Sequence, residues 1–584
     1  MFDPCKEIRA HDAPLLMKTP RFVLLFTLLV ICSAGHAAPG DLDPTFGGGG
    51  TVTTPYLMYT GRSTYTDARV YAGVLVQPDG KILLGGYAFT PNVDDFALMR
   101  YNTDGTVDTT FSGGTVTTNF NPGGYSYDEA WCMALQGDGK VVLAGYTVVP
   151  VTNNFVFALA RYTASGAPDT SFNGTGTVTT AVNAAGHDIA TGVAMQADGK
   201  IVVAGNSWTT SSGNPVFALV RYNGDGTLDT TFNGSGIVTT SIGGSDDEAW
   251  CIALQGDGKI VVAGSSADSV TGNYAFAVAR YNGDGTLDTT FNGTGKVTTS
   301  LGANLYCTGR SVAIQRDGKI LVAGDTANGS FAVVRYNADG TLDATFNGTG
   351  KVTSAISTSA TAQSIAVQAN GKILVAGNSD SNNAGDQDFT LLRYNADGTL
   401  DSGFNGTGKV VTGFGADDEA FGVALQSDGK IVVAGYTGFQ GFNGPQYQFA
   451  VARYLGDPPA PLAAWREQYF GTANNTGAAA DSADPYHTGV PNLAAFAVFG
   501  PGQDPSRVTA GLLPQPQILG GNYGITFTQP AGVSGVNYGA EWCADFSSGT
   551  WTPVADTGTA PQHVFSVPIG GNTQLFLRLR VTEQ

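Results

Sequence analysis

The phrase Gln-x-Asp-Gly-Lys, followed at once by an apolar run, constrains this chain more than any other feature. It occurs seven times, with its turn residue at 79, 138, 198, 257, 317, 370 and 428, an Asp in every copy but the sixth, where it is Asn370. The intervals are 59, 60, 59, 60, 53 and 58 residues. A fixed period of this size means a repeat architecture and outranks any local reading.

Four short strands can be read in the copy near residue 290: Lys296-Val297-Thr298-Thr299, Ser311 to Gln315, Lys319 to Gly324 and Phe331 to Tyr336. Each is rich in β-formers and bounded by Gly, Asn or Asp. Gln-x-Asp-Gly-Lys joins the second and third as a tight hairpin, with Gly supplying the positive φ of the turn. Four antiparallel strands per unit, seven times over, is the pattern of an all-β, seven-bladed β-propeller of four-stranded blades, expected over residues 38–457. Runs such as Ile260-Val261-Val262-Ala263 do not alternate in polarity, as expected if both faces of a blade pack on neighbours. A β-solenoid is the alternative, but its repeats are usually shorter.

The two ends argue for a closed ring. Leu42-Asp43-Pro44-Thr45-Phe46 is the tail piece of a unit, and the seventh unit stops at Arg453-Tyr454-Leu455-Gly456-Asp457 without that piece. Seven complete units exist only if the N-terminal segment supplies it. The strand-four Arg of each unit (Arg453 in the last) then needs a carboxylate or carbonyl partner if buried. The recurring Asp of the tail piece is the expected partner, with Asp43 assigned to Arg453.

These units resemble the delta-60 repeat of secreted bacterial proteins. The resemblance is carried by Asp-Gly-Lys-Ile-x-Val-Ala-Gly, Phe-Ala-x-x-Arg-Tyr-Asn-x-Asp-Gly-Thr-Leu-Asp and Phe-Asn-Gly-x-Gly, over residues 41–456. It implies an extracellular repeat protein and transfers no catalytic residue. Leader chemistry agrees. Met17 to Arg21 is basic, Phe22 to Cys32 is apolar, and Ser33 to Ala37 is small, as in a secretory signal peptide over 17–37. Residues 1–16 read as an upstream mis-start. The apolar run is too short for a membrane span, so no transmembrane segment is expected after cleavage.

Beyond Asp457 the composition changes. Residues 458–517 read as a linker with short helices, one over Leu462–Gly471. Residues 518–584 alternate apolar and polar, and read as a small C-terminal β-sandwich-like domain resembling modules of other secreted bacterial proteins.

The formal charge of −19 argues against nucleic acid as a partner, because phosphate binding needs basic surface. Cys132 and Cys251 share one repeat position and are expected far apart in space, as small buried apolar residues. No disulfide framework or zinc spacing is visible, and no cofactor or metal is expected. Tyr-Asn-x-Asp-Gly-Thr-Leu-Asp carries oxygen donors that could suit calcium, but an Asx turn that every unit needs is the simpler reading. His187, alone in the repeat region, reads as a polar loop residue. The acid pairs Asp128-Glu129, Asp247-Glu248 and Asp418-Glu419 share one repeat position. Paired carboxylates can hydrolyse glycosides, yet three copies of one position read more simply as solvated loops. No catalytic residue is assigned.

Connection lengths divide the ring. Lys follows Gln by four positions in every copy, whereas 6 to 13 residues separate the third-strand Gly from the fourth-strand Phe. In an up-and-down blade these two kinds of connection lie on opposite faces. One face is therefore uniform and the other variable, and variable loops on a rigid scaffold are where binding normally lives. The longest variable loops carry Tyr56, Tyr59 and Tyr65 in unit one and Phe439, Phe442 and Tyr447 in unit seven. Closure makes these units neighbours, so six aromatics are expected at one seam, either as a binding surface or packed on one another. The functional expectation is a secreted or cell-surface binding or scaffold protein with a glycan or protein partner at the cell exterior. An extracellular carbohydrate-active enzyme, a glycan lyase or hydrolase, is the alternative.

Overall fold

The structure is a computed structural model. It describes residues 38–457 except 55–58, 61–62, 65–66, 91–92, 122–125, 209, 211–212, 303–305, 381–385, 416, 427 and 442–443, and residues 517–583 except 520–521, 531–532, 534–535, 544–551, 559–560 and 569–575. The leader, the upstream segment and the helix expected over 462–471 lie outside the described residues, as do Tyr56, Tyr65 and Phe442.

Seven four-stranded antiparallel sheets form the blades of a β-propeller. Blade 4 shows the plan. Its inner strand is Asp246–Leu254, its second Ile260–Ala267, its third Tyr274–Tyr281 and its outer Lys296–Thr299. The grouping differs from the sequence reading by one strand. Lys296–Thr299 does not open the next unit; it pairs with the strand before it, Phe276 against Thr299. Sequence order is the same under either grouping, so order alone could not decide. The tight connection through Asp288 and Phe291 returns the chain onto the strand it has just left.

Each blade packs by alternating partners rather than alternating polarity. In the second strand of blade 3, Val202 and Ala204 join the core shared with blade 4, and Ile201 and Val203 join the core shared with blade 2. All four are fully buried. Seven such cores fill the seven seams, and the core between blades 7 and 1 joins Val432 and Phe449 to Ile82 and Tyr101. The hairpin works as its residues require: in blade 1, Gly80 N donates to Gln77 O at 2.9 Å with Gly80 at φ 83°.

Ring closure is made by the N-terminal segment. Thr51–Thr54 is the outer strand of blade 7, paired with Phe449 to Ala452. The turn after Tyr454 is split between two chain ends. Leu455 N donates to Asp41 O and Gly40 N to Leu455 O, both at 2.8 Å, as Asn102 N does to Thr106 O within blade 1. Pro39 O accepts from Asn405 N of blade 6, in the place where elsewhere the turn Asp of the following blade accepts, as Asp225 O does from Asn173 N.

The C-terminal part contains two three-stranded sheets, Gln517–Leu519, Asn522–Thr528 and Gln562–Pro568 in one, Thr552–Val554, Val536–Cys543 and Phe576–Glu583 in the other. Ile525, Ala540 and Phe565 are buried there, consistent with a small sandwich. Among the described residues no helix is long and apolar enough to cross a membrane.

Candidate functional site

The uniform face is a latch repeated seven times. Each third-strand Arg pairs through Nε with its tail-piece Asp, from Arg100–Asp108 at 2.8 Å round to Arg453–Asp43 at 2.8 Å. Each guanidinium also lies over the Phe of the same tail piece, 4.4 Å from the ring centre at Phe111 and 4.7 Å at Phe291. In all but Arg393, whose Nη2 pairs with Asp457 instead, Nη1 reaches a backbone carbonyl of the next blade, as where Ala164 O accepts from Arg100 at 2.9 Å. The hairpin Lys approaches the same carboxylate, as in Lys200–Asp229 at 2.9 Å. The Asp residues respond accordingly. Burial alone would raise Asp169, but hydrogen bonds from Ser171 and Lys140 and the Arg161 charge outweigh it and hold the group at about 2. The oxygens considered for calcium are occupied by turns: Asp225 Oδ1 accepts from Thr227 N at 3.0 Å and from its hydroxyl at 2.6 Å.

The variable face differs from blade to blade. Blade 7 extends its second and third strands through Gly441 and Gly444, so the segment expected as a loop is a long hairpin. Tyr447 lies in it and meets Tyr436 edge-on at 5.1 Å. Phe439 is in the same hairpin, and Tyr59 is in a two-residue ribbon with Thr64. His187 accepts from Phe155 N at 3.1 Å through Nδ1 and packs at a tilt against the Phe155 ring, 4.7 Å between centres, a loop-holding role.

The acid pairs are not solvated loops. Asp128, Asp247 and Asp418 are buried. Each accepts from the backbone of the connection that crosses from the previous blade: Asp128 from Phe120 N at 2.7 Å, Asp247 from Ile242 N at 2.8 Å, Asp418 from Phe414 N at 2.5 Å. A short connection with unpaired N–H groups must be satisfied somewhere, and the acid does it. Asp418 is pushed up to about 6, first by burial, with the Asp388 and Asp417 charges adding to it against hydrogen bonds from Phe414 and Thr437.

The partner Glu of each pair leads to the ring axis. Every inner strand carries a β-bulge, at Trp131, Thr191, Trp250, Arg310, Gln363 and Phe421 in blades 2 to 7. These six residues line one cavity of about 430 Å³, formed by inner strands of all seven blades. They sit near the start of their strands, toward the variable face. Trp131 and Trp250 stack at 6.1 Å with 24° between planes, and the Arg310 guanidinium lies 5.1 Å over Trp250 while pairing with Asp325 at 2.7 Å. Glu129 Oε2 accepts from Trp131 Nε1 at 3.1 Å. Glu248 is raised by burial and then by the Asp246 charge. Glu419 lines the cavity beside Phe421.

The same convergence corrects the cysteine expectation. Cys132 and Cys251 follow the two Trp on their inner strands and both line the cavity, so equivalence brings them together rather than apart. Burial, and then the neighbouring Cys251, push the Cys132 thiol up. None of Cys132, Cys251, Cys307 and Cys543 is in a disulfide.

Fold and repeat together define the class: this is a repeat β-propeller protein. Seven segments match the family model described as a domain of unknown function (DUF5122) β-propeller, at residues 77–111, 136–172, 196–232, 255–291, 315–346, 368–404 and 426–457. No curated protein matches the chain. Among solved structures, polysaccharide lyase Uly1 is similar over 69% of this chain and 94% of its own, at 14% identity and a TM-score of 0.39. Sqt1 from Chaetomium thermophilum matches over 67% of this chain and 95% of its own, at 9% identity and a TM-score of 0.35. PorZ, a surface component of the type-IX secretion system of Porphyromonas gingivalis, matches over 90% of this chain and 59% of its own, at 10% identity and a TM-score of 0.37. Likeness at these levels assigns no residue of this chain a role.

Proposed function

We propose that the protein is a secreted or cell-surface binding and scaffold protein that holds a glycan or protein partner on the variable face of its ring. The contrast between the faces carries this reading. One face repeats a buried Arg–Asp latch seven times, and the other varies in every blade around a cavity edged by Trp131, Trp250 and Phe421. A rigid ring with one diversified face is a scaffold for recognition, and aromatic side chains offer large contact area with few torsions to freeze. The delta-60 resemblance and the leader chemistry over 17–37 support placement outside the cell. On this reading Tyr56, Tyr59, Tyr65, Phe439, Phe442 and Tyr447 are the candidate contact residues for that partner. The second reading, a glycan lyase or hydrolase, is favoured by Glu248, whose raised pKa suits a general acid.

A glycan and protein binding array run beside a turnover screen on polysaccharides separates the two. Retention without turnover is expected, and product release from any polysaccharide would replace the binding reading. The double variant Tyr59→Ala with Phe442→Ala is expected to lose retention at unchanged melting temperature. Lost stability with normal retention would reduce the seam to packing.

A further inference from the structure

Blades 2 and 4 carry the same loop on the variable face. Val149-Pro150-Val151-Thr152-Asn153-Asn154 and Asp268-Ser269-Val270-Thr271-Gly272-Asn273 each join the second strand of their blade to the third. The N of the first residue donates to the O of the sixth, Val149 to Asn154 at 2.8 Å and Asp268 to Asn273 at 2.9 Å. The fifth residue turns with positive φ, 58° at Asn153 and 69° at Gly272, and the third, Val151 or Val270, stands exposed at the tip. A ring follows each loop, Phe155 or Tyr274. It packs against the ring that precedes the next inner strand, His187 at 4.7 Å or Tyr306 at 5.6 Å.

The two copies differ in what their polar groups do. In blade 2 they tie the loop to the connection that leads to blade 3. Asn154 Nδ2 donates to Ala184 O at 3.2 Å, Phe155 N donates to His187, and Asn183 Nδ2 donates to Trp208 O at 3.0 Å. In blade 4 the matching side chains make no such tie. Gly302 stands where Asn183 does, Tyr306 has no ring nitrogen to accept from the backbone, and the Asn273 side chain has no hydrogen-bond partner among the described residues. A cleft of about 670 Å³ lies there instead, walled by Gly243 and Gly244 on the incoming connection, by the loop, and by Ser300 and Gly302 on the outgoing one.

The cleft suits a neutral guest rich in hydroxyls. Asp268 is the charged residue among its lining residues, and its Oδ1 already accepts from Val270 N, Thr271 N and the Thr271 hydroxyl. The hydroxyls of Ser269 and Thr298 and the amide of Asn273 belong to the lining and have no partner among the described residues, so both donors and acceptors are uncommitted. Tyr274 lines the cleft as well, and its hydroxyl donates to Asp246, which fixes the ring. Against that fixed ring lies Tyr306, 51% exposed. Small-molecule sites combine a recess of about 300–1,000 Å³ with apolar rings and a few placed polar groups. A sugar offers both matching surfaces, C–H faces for the ring and hydroxyls for the amide and hydroxyl groups. A carboxylated or sulfated sugar would meet the like charge of Asp268 with no cation among the lining residues.

We propose that the blade 4 cleft binds a neutral sugar unit of a glycan, packed on Tyr306 and hydrogen-bonded by Ser269, Asn273 and Thr298. The inference rests on the binding reading above and gives it a contact separate from the seam residues and from the axial cavity.

The test titrates the full chain by calorimetry with cellotetraose, maltotetraose, mannotetraose and xylotetraose, and with tetragalacturonate as the charged control. At least one neutral compound is expected to bind, about tenfold or more tighter than tetragalacturonate. Tyr306→Leu and Asn273→Ala are each expected to weaken that binding about tenfold at unchanged melting temperature, and Tyr306→Phe, which keeps a ring, to weaken it less. The seam variant Tyr59→Ala with Phe442→Ala should leave it unchanged. Silence toward every neutral compound overturns the inference. So does a preference for tetragalacturonate, or binding that Tyr306→Leu and Asn273→Ala leave intact. A protein that keeps its partner on the array while ignoring the neutral oligosaccharides loses this inference alone; silence in both experiments removes the binding reading as well.

Discussion

Arg221 stands inside an apolar strand because four partners meet it at once. Its Nε pairs with Asp229 at 2.7 Å, its Nη2 donates to Thr231 at 3.3 Å, its Nη1 donates to Gly283 O in the next blade, and its plane covers Phe232 at 4.5 Å. Removing one partner of a buried pair leaves the other charge uncompensated, which costs about 3–5 kcal/mol. Asp229→Ala is expected to destabilise by that order in urea denaturation. Arg221→Lys should also fail to restore stability, since an ammonium cannot serve the fork, the carbonyl and the ring together. The sixth copy has Asn370 where the others have Asp, and the structure supplies a reason. Asn370 Nδ2 donates to Asp457 Oδ2 at 2.7 Å, and Asp457 also pairs with Lys372 and Arg393 where the chain leaves the ring. An Asp at 370 would set two carboxylates against each other. Asn370→Asp is therefore expected to destabilise by about 1 kcal/mol, an effect that added salt should shrink.

The bulged inner strand is the element that converts a repeat into a site, and a glycine one strand away makes room for it. In blade 4 a Cβ on Gly264 would come within 1.9 Å of Glu248 O, and Gly145, Gly205, Gly324, Gly377 and Gly435 face the same collision in their blades. Gly264→Ala is expected to cost about 1–3 kcal/mol or more and to change the fluorescence of Trp250. Gly256→Ala, in the hairpin of the same blade with nothing near its Cβ, is the control and should leave both unchanged. This contrast also shows what the sequence could tell. Local spacing made the hairpins legible, and Arg to Asp eight residues on made six of the seven latches legible. Counting units made closure legible. Blade grouping was not, because strand order does not say which neighbour a strand pairs with. The axial site was not either, since Trp131, Thr191, Trp250, Arg310, Gln363 and Phe421 share a position but no chemistry. The usable signal was the Gly closing every apolar run, because Gly inside a strand marks a bulge or close backbone approach. Three of the bulges also stood beside the acid pairs, which drew notice for their acids and not for the rings two residues on.

For the molecule as a whole, stability is cyclic in both charge and topology. Asp169 and Asp343 are both held at about 2 against an ordinary value of 3.8, burial being outweighed by hydrogen bonds and by the Arg charges. A depressed carboxylate contributes stability above its unfolded value and loses it as pH falls through the folded one. Because the latch recurs in every blade, melting temperature is expected to hold down to about pH 4 and to fall steeply between there and pH 2. A gradual decline from pH 7 would contradict this account. Topologically, the ring is shut without a covalent bond, through the split turn after Tyr454. Residues 39–54 supply half of that turn, the Asp43 partner of Arg453, the fully buried Phe46 and the outer strand of blade 7. Deleting them would strand a buried guanidinium, at about 3–5 kcal/mol. It would also leave the strand Gly444–Tyr454 as an open edge, and open edges recruit other chains. The deletion is expected to yield aggregated or unfolded protein in size-exclusion chromatography. Because the missing piece docks by backbone pairing and one ion pair, a synthetic 38–54 peptide added during refolding is expected to recover monomer, and the same peptide with Asp43→Ala to recover much less. A deletion variant that elutes as monomer with unchanged melting would refute closure by this segment.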